Sequence, residues 1–277
     1  MICSIVQLQS GDDVSKNIQT IKEILLEIGN SSVRTNIVLF PENAFFLNIG
    51  KSSGNAPAID LQDGNIWREF QDWSTQNECL VLFGSVPIKS IENRKLMNAM
   101  VAIYPGMNMG KVVYQKLHLF DVDVPGDRKY LESLNFTAGT KPEVLEWQGW
   151  KIGLSICYDL RFSYLFDYYA KNDCDAVVVP AAFTLKTGTK HWQTLLKARA
   201  IESQYYVLAA AQAGEHRNSA GEVRMTYGHS LVIDPDGEVL RQLDEKTVGW
   251  FSIEMKKELI SKVRTEMPMR QHRKNIE

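Results

Sequence analysis

An α/β fold built around a mixed sheet is what this sequence predicts, and three observations predict it. Short β-rich apolar runs alternate with amphipathic stretches along most of the chain. Some strand-like runs are joined by turn residues, Pro105-Gly106 and Pro235-Asp236-Gly237 among them, as antiparallel neighbours require. No internal repeat, low-complexity tract or linker rich in Gly, Ser or Pro divides the 277 residues. Together these argue one domain over residues 1–277, with a C-terminal tail extending from it after about residue 265.

The elements follow in order. Residues 2–8 read as a strand, followed by a helix with Ile18, Ile21, Ile24, Leu25 and Ile28 on its apolar face. Residues 37–40 are a continuous apolar run stopped by Pro41, the pattern of a buried strand. Trp67, Phe70 and Trp73 mark a second helix, and 79–86 a strand after it. Residues 97–104 and 111–115 form a strand pair. Strand 151–156, helix 164–171, strand 176–179, helix 191–203 and strand 205–211 resume the alternation. Strands at 230–234, 238–242 and 249–253 close the chain.

Composition removes several functional classes. Apolar residues make up 44% of the chain, enough for a sizeable core. With 31 Lys and Arg against 33 Asp and Glu the net charge is −2, which gives no electrostatic reason to expect nucleic acid or an acidic membrane surface. No apolar run reaches the roughly 18 residues of a membrane helix. Met1-Ile2-Cys3-Ser4-Ile5 lacks the features of a signal peptide. Cys3, Cys79, Cys157 and Cys174 form no CxxC pair, so the expectation is a cytoplasmic protein with reduced thiols.

Familiar motifs fail in informative ways. Gly50-Lys51-Ser52 has the tail of a phosphate-binding loop, but Phe45 stands where its first glycine belongs. No GxGxxG opens a helix, and the five histidines never fall at HxxxH spacing, so neither a dinucleotide nor a zinc site is expected. Gly153-Leu154-Ser155-Ile156-Cys157 begins like a nucleophile elbow but has Cys where the second glycine should be. Attention shifts to that thiol. It stands at the carboxyl end of a strand, where α/β sheets bind ligands, although a free Cys is also a common apolar filler.

A thiol of ordinary pKa, roughly 8.5, needs a base or cation beside it to react at neutral pH. Glu42 follows strand 37–40 and Lys116 follows strand 111–115, again at carboxyl ends. Each alone reads as a surface charge; an acid, a cation and a thiol converging would make a nucleophilic amidase site.

Pro41-Glu42, the segment Tyr114-Gln115-Lys116-Leu117-His118-Leu119-Phe120-Asp121, and Cys157-Tyr158-Asp159-Leu160-Arg161-Phe162 resemble, in order and spacing, the three signature regions of the nitrilase superfamily of carbon–nitrogen hydrolases. His191-Trp192, Ala198-Arg199-Ala200-Ile201-Glu202 and Tyr227-Gly228-His229-Ser230 extend the resemblance, which runs to about Arg273. Gln115 and Ser163 depart from it, where a basic residue and a proline are common. The resemblance implies a four-layer αββα sandwich, a triad of Glu42, Lys116 and Cys157, and a supporting Glu132 near the lysine.

On these residues the expected chemistry is covalent amide hydrolysis without a metal or organic cofactor. Glu42 takes the Cys157 proton, and Lys116 with the Tyr158 backbone N–H stabilises the oxyanion. The C-terminal half is similar to the deaminated glutathione amidase and ω-amidase branch, whose small amide substrates carry a 2-oxo acid. Arg161 offers a bidentate fork to that carboxylate, with an ion pair to a nearby acid as its alternative. The resemblance also places Phe183 and Thr187 on the substrate wall, where Phe183 reads equally well as core packing. Nitrile hydrolysis and a catalytically silent scaffold remain open. The family's mode of pairing through helices 164–171 and 191–203 implies at least a homodimer.

Overall fold

The computed structural model describes residues 1–90, 95–124 and 129–274. Two sheets carry the architecture. In the first, the strand order is Gly249–Glu254, Ile2–Gln7, Ile37–Phe40, Leu80–Lys89, Leu96–Ile103 and Lys111–Gln115, with the short Phe136–Thr137 paired beside Leu96. In the second, the order is Val239–Gln242, Leu231–Ile233, Tyr206–Ala209, Ala176–Val178, Trp150–Leu154 and Val144–Trp147. The central strands of each are parallel and the outer ones antiparallel, the mixed pattern expected from the sequence.

Side-chain alternation builds the layers. Cys3, Ile5, Ile37, Leu39, Leu80 and Leu82 join one buried cluster with Ile152, Leu154, Val177 and Leu208 of the second sheet. The intervening Val38, Phe40, Val81 and Phe83 join another, against Ile21, Ile24, Leu25 and Ile28 of helix Val14–Gly29 and Trp67 and Phe70 of helix Gly64–Asn77. Each face of the first sheet is therefore buried, one on helices and one on the second sheet. On the far side of the second sheet lie helices Ser163–Lys171 and Leu185–Ser203, whose Phe166, Tyr169, Trp192 and Leu196 are buried. Gly153 lets the first of these close in, since a Cβ there would stand 2.5 Å from Cγ of Tyr169. The result is the four-layer αββα sandwich.

Of the expected boundaries that move, two bear on the site. The helix read from His191 begins at Leu185, capped by Thr184, whose Oγ1 accepts from the Thr187 N–H at 3.3 Å. Its first turn is Thr- and Gly-rich and has no apolar periodicity to betray it. The strand before Cys157 stops at Leu154, and Cys157 opens a 3₁₀ turn running to Arg161. The sequence reading passed over the hairpin Ala213–Arg217 with Val223–Tyr227, whose strands are largely polar, and the helix Lys257–Glu266, although Ile260 and Val263 stand at helical spacing on its buried face. Beyond that helix, Arg270 donates to Asp173 at 2.7 Å and Arg273 to Asp167, so residues 268–273 lie back against the second helical layer. No helix among the described residues is long and apolar enough to cross a membrane.

Candidate active site

Three strands end on one side of the sandwich. Glu42 follows Ile37–Phe40, Lys116 follows Lys111–Gln115, and Cys157 follows Trp150–Leu154. The structure brings all three together. Lys116 Nζ donates to Glu42 Oε1 at 2.8 Å and to both oxygens of Glu132, at 3.1 and 2.9 Å. The second oxygen of Glu42 accepts from the Ala182 N–H at 2.9 Å, and Glu132 Oε2 from the Phe120 N–H at 2.6 Å. Cys157 lines the same cavity as Glu42 and Lys116.

Cys157 is held in the left-handed region, at φ 50°. A non-glycine residue there costs on the order of 1 kcal/mol or more and persists only where its surroundings fix it. Its N–H donates to Pro180 O at 2.9 Å, and the preceding Ile156 N–H to Asp159 Oδ2 at 2.8 Å.

Burial works against every charge in the cluster, and the charges answer one another. Burial raises the Glu42 carboxyl, but Lys116, through its charge and its hydrogen bond, brings it below the ordinary carboxylate value. Burial lowers the Lys116 ammonium, yet Glu132 and Glu42 hold it well above the usual lysine value. The Cys157 thiol is pushed well up, by burial first and by the Glu42 charge second, with Lys116 opposing. These directions favour a thiol on Cys157, an ammonium on Lys116 and a carboxylate on Glu42.

These groups open onto a cavity of about 690 Å³ lined also by Tyr158, Arg161, Phe183 and Thr187. Arg161 does not take the ion pair left open by the sequence. It donates from Nη1 to Nδ1 of His191 at 3.1 Å and makes no ion pair among the described residues. Its Cζ stands 5.8 Å from the Tyr158 ring centroid and 5.3 Å from that of Phe183. Phe183 serves both of its readings, packing on Trp192 at 4.8 Å between centroids while lining the cavity.

The carbon–nitrogen hydrolase family model matches residues 3–265. The chain belongs to that family. This hydrolase is 37% identical over 279 residues to a deaminated glutathione amidase of Synechocystis, covering 98% of this chain and 97% of that one. A Yersinia enterocolitica protein of the same name is 32% identical over 274 residues, with 99% and 93% covered. The omega-amidase of Mus musculus is 31% identical over 267 residues, with 96% and 92% covered. Among solved structures, the Caenorhabditis elegans NitFhit protein superposes with a TM-score of 0.83 at 31% identity, over 98% of this chain and 64% of that one. Saccharomyces cerevisiae Nit3, of the nitrilase superfamily, superposes at 0.81 and 23% identity, over 97% and 94%.

The hydrolase also uses residues that the sequence reading passed over. Asn98, 3% exposed, donates to Glu132 Oε1 at 2.6 Å and to Glu42 Oε1 at 3.4 Å, fixing the two carboxylates relative to each other. An amide in the otherwise apolar strand Leu96–Ile103 was a visible signal for it. Asp159, fully buried, accepts from Ile156 N–H, Tyr114 Oη, His118 N–H and His118 Nδ1, tying the cysteine turn to the end of the lysine strand. Arg224 lines the cavity from a distant segment and carried no local signal, whereas His191, part of a segment that extends the resemblance, meets the site through Arg161.

Proposed function

We propose that this hydrolase is a thiol amidase acting on a small amide that bears a carboxylate, either deaminated glutathione or an ω-monoamide of a 2-oxo dicarboxylic acid. The observation that carries the reading is Arg161. A cation without an ion pair among the described residues lines the cavity that holds the cysteine, and a planar guanidinium binds a carboxylate through two parallel hydrogen bonds. The names of the relatives point the same way.

In this mechanism Glu42 removes the Cys157 proton as sulfur attacks the amide carbon. Lys116 and the Tyr158 backbone N–H stabilise the oxyanion, and a donor of this kind is typically worth about 2.7–4 kcal/mol of barrier. The C–N bond breaks as Glu42 hands its proton to the departing nitrogen. Glu42 then takes a proton from water, whose oxygen attacks the thioester, and the acid leaves as the thiol is restored. Glu132 orients Lys116. Phe183 and Thr187 shape the wall. The chain acts as one hydrolase domain with a C-terminal tail after about residue 265, in the cytoplasm, and assembles at least as a homodimer.

The test is a panel of deaminated glutathione, ω-monoamides and nitriles assayed for product with wild type and Arg161→Lys. Lysine keeps the charge but loses the fork. Catalytic efficiency on the carboxylate-bearing amides should fall about ten- to a hundredfold, the worth of one charge-assisted bond, and a neutral amide should be poor with both proteins. Equal loss on every substrate, or a preference for nitriles, defeats the reading.

A further inference from the structure

The segment Gly50-Lys51-Ser52 has the tail of a phosphate-binding loop without its first glycine, yet it does hold an anion, and the anion belongs to this chain. The N–H groups of Lys51 and Ser52 donate to the two oxygens of Glu222, one to each, at 3.0 and 2.9 Å. Asn218 steadies that carboxylate. Its Nδ2 donates to Glu222 Oε2 at 2.8 Å and to Ser53 Oγ at 3.3 Å, while its Oδ1 accepts from the Glu222 N–H at 2.9 Å. Glu222 directly precedes the strand Val223–Tyr227, so the hairpin and the segment meet at this one side chain.

Gly50 makes room for the carboxylate. Its φ of −162° is extended backbone that any residue adopts, so conformation does not call for a glycine there. A Cβ, however, would stand 2.4 Å from both Cδ and Oε2 of Glu222. The segment is also a wall of the catalytic cavity, since Asn48, Gly50, Lys51, Gly54, Asn55 and Ala56 line it together with Cys157. Buried Ile49 and Ile59 bound the wall, and every residue between them is exposed or half-buried. Upstream, the fully buried Leu47 donates its N–H to Gly11 O at 2.9 Å, and Asn48 O accepts from Arg224 Nη1 at 2.9 Å. Those ties hold the chain near Glu42 independently of what residues 50–56 do.

A segment with little buried apolar surface opens at low cost unless polar ties hold it. Here two of those ties are hydrogen bonds to a charged acceptor, the stronger kind. We infer that Glu222 is a positioning residue: its carboxylate latches residues 50–56 against the hairpin and so sets how bulky an amide can reach Cys157. The inference rests on the amidase reading for the use of the cavity, and deepens it by naming the side chain that limits substrate size. Glu222 touches no reacting atom; it acts through the wall it holds.

The experiment opens the latch from both sides and does not depend on turnover. Glu222→Ala removes the carboxylate; Gly50→Ala leaves it in place but fills its seat, and serves if the first variant does not fold. Two readouts are taken: the rate of trypsin cleavage after Lys51, and the rate at which Cys157 is alkylated by a fluorescein-bearing iodoacetamide relative to iodoacetamide itself, both by mass spectrometry. Each variant should raise both by about tenfold or more, the factor expected for losing hydrogen bonds to a charged group. In the double variant the alanine at position 50 has nothing left to displace, so it should add less than about twofold to Glu222→Ala. Glu222→Gln, which keeps an acceptor, should fall between wild type and Glu222→Ala. Unchanged cleavage or an unchanged labelling ratio in both single variants overturns the inference, as does full additivity in the double variant. Faster labelling of Cys3, Cys79 and Cys174 alongside Cys157 overturns it too, because that would be general loosening. Failure of wild type to hydrolyse any amide, with these rates as expected, would instead overturn the amidase reading alone.

Discussion

Lys116 Nζ stands 2.9 Å from Glu132 Oε2, and this second carboxylate decides how strongly the lysine grips the first. With one negative partner, Lys116 would hold Glu42 more tightly and make it a poorer base. With two, its attraction is divided. Glu132→Gln should therefore lower kcat by about 10²–10³, the range for loss of a positioned acid–base or oxyanion contribution. KM should change little, since Glu132 acts through Lys116. Steady-state kinetics with a carboxylate-bearing amide check this, and an unchanged kcat would refute it.

The Glu42–Cys157 pair makes a prediction about thiol chemistry. Because the thiol is pushed up and the carboxyl down, no standing thiolate is expected; sulfur becomes nucleophilic only as Glu42 removes its proton. Cys157 is 8% exposed, whereas Cys3, Cys79 and Cys174 are fully buried, so iodoacetamide should label Cys157 first. Glu42→Gln should slow both labelling and hydrolysis, the latter by about 10²–10⁴. Mass spectrometry of the labelled peptides reads the order, and four thiols reacting at one rate would exclude the assignment.

How far the site was legible depends on whether a residue announces itself locally. Glu42, Lys116 and Cys157 each follow an apolar run, so strand ends could be found by periodicity and the thiol by its position. Glu132 was placed only through resemblance to a family, because it starts a 3₁₀ turn after the three-residue strand Lys129–Leu131, with no period to count. Arg224 sits 182 positions after Glu42 in sequence, on a strand whose alternation is mostly exposed or half-buried. Such long-range convergence leaves no trace in a single sequence. The same limit hid the start of helix Leu185–Ser203, where the Thr184 cap and not apolar spacing sets the boundary.

Arg161 and His191 make the substrate contact pH-dependent. Nδ1 of His191 accepts from Arg161 only while that nitrogen is unprotonated, and burial first, then the Arg161 charge, keeps the imidazole below its usual value of about 6.5. As pH falls below that value His191 takes a proton, loses its acceptor and repels the guanidinium. KM for a carboxylate-bearing amide should rise on the acid side. His191→Asn, which cannot titrate, should flatten that limb while leaving the acid limb of kcat to Glu42. An identical KM profile in the variant would remove His191 from substrate binding.

Assembly follows from how the helix Ser163–Lys171 divides its aromatics. Phe166 and Tyr169 are buried in the subunit, while Tyr164 is 63% and Tyr168 40% exposed. Exposed aromatics on one helix suit the centre of an interface. Light scattering at micromolar concentration should give at least a dimer, and Tyr168→Asp should shift it toward monomer. A monomeric wild type would end the proposal.

His216 makes the last prediction, one of stability. It is 1% exposed, with Nδ1–H donating to Ser10 O at 2.7 Å and Nε2 accepting from Thr226 Oγ1 at 2.7 Å, an arrangement that requires the neutral ring. Burial takes its pKa down to about 4, the Ser10 contact opposing and Arg224 adding slightly. The unfolded chain, with an ordinary imidazole near about 6.5, binds a proton across this window while the native chain does not. More protons on the unfolded state means that stability falls as pH drops from about 6.5 to about 4, and levels off once both states are protonated. The full difference is on the order of 3 kcal/mol. Other groups titrate in the same range, so the comparison is with His216→Asn. Urea unfolding at pH 7 and pH 4.5 should show wild type losing more stability than the variant, although the variant is the less stable of the two at pH 7. Equal losses would mean that protonation of His216 does not oppose folding.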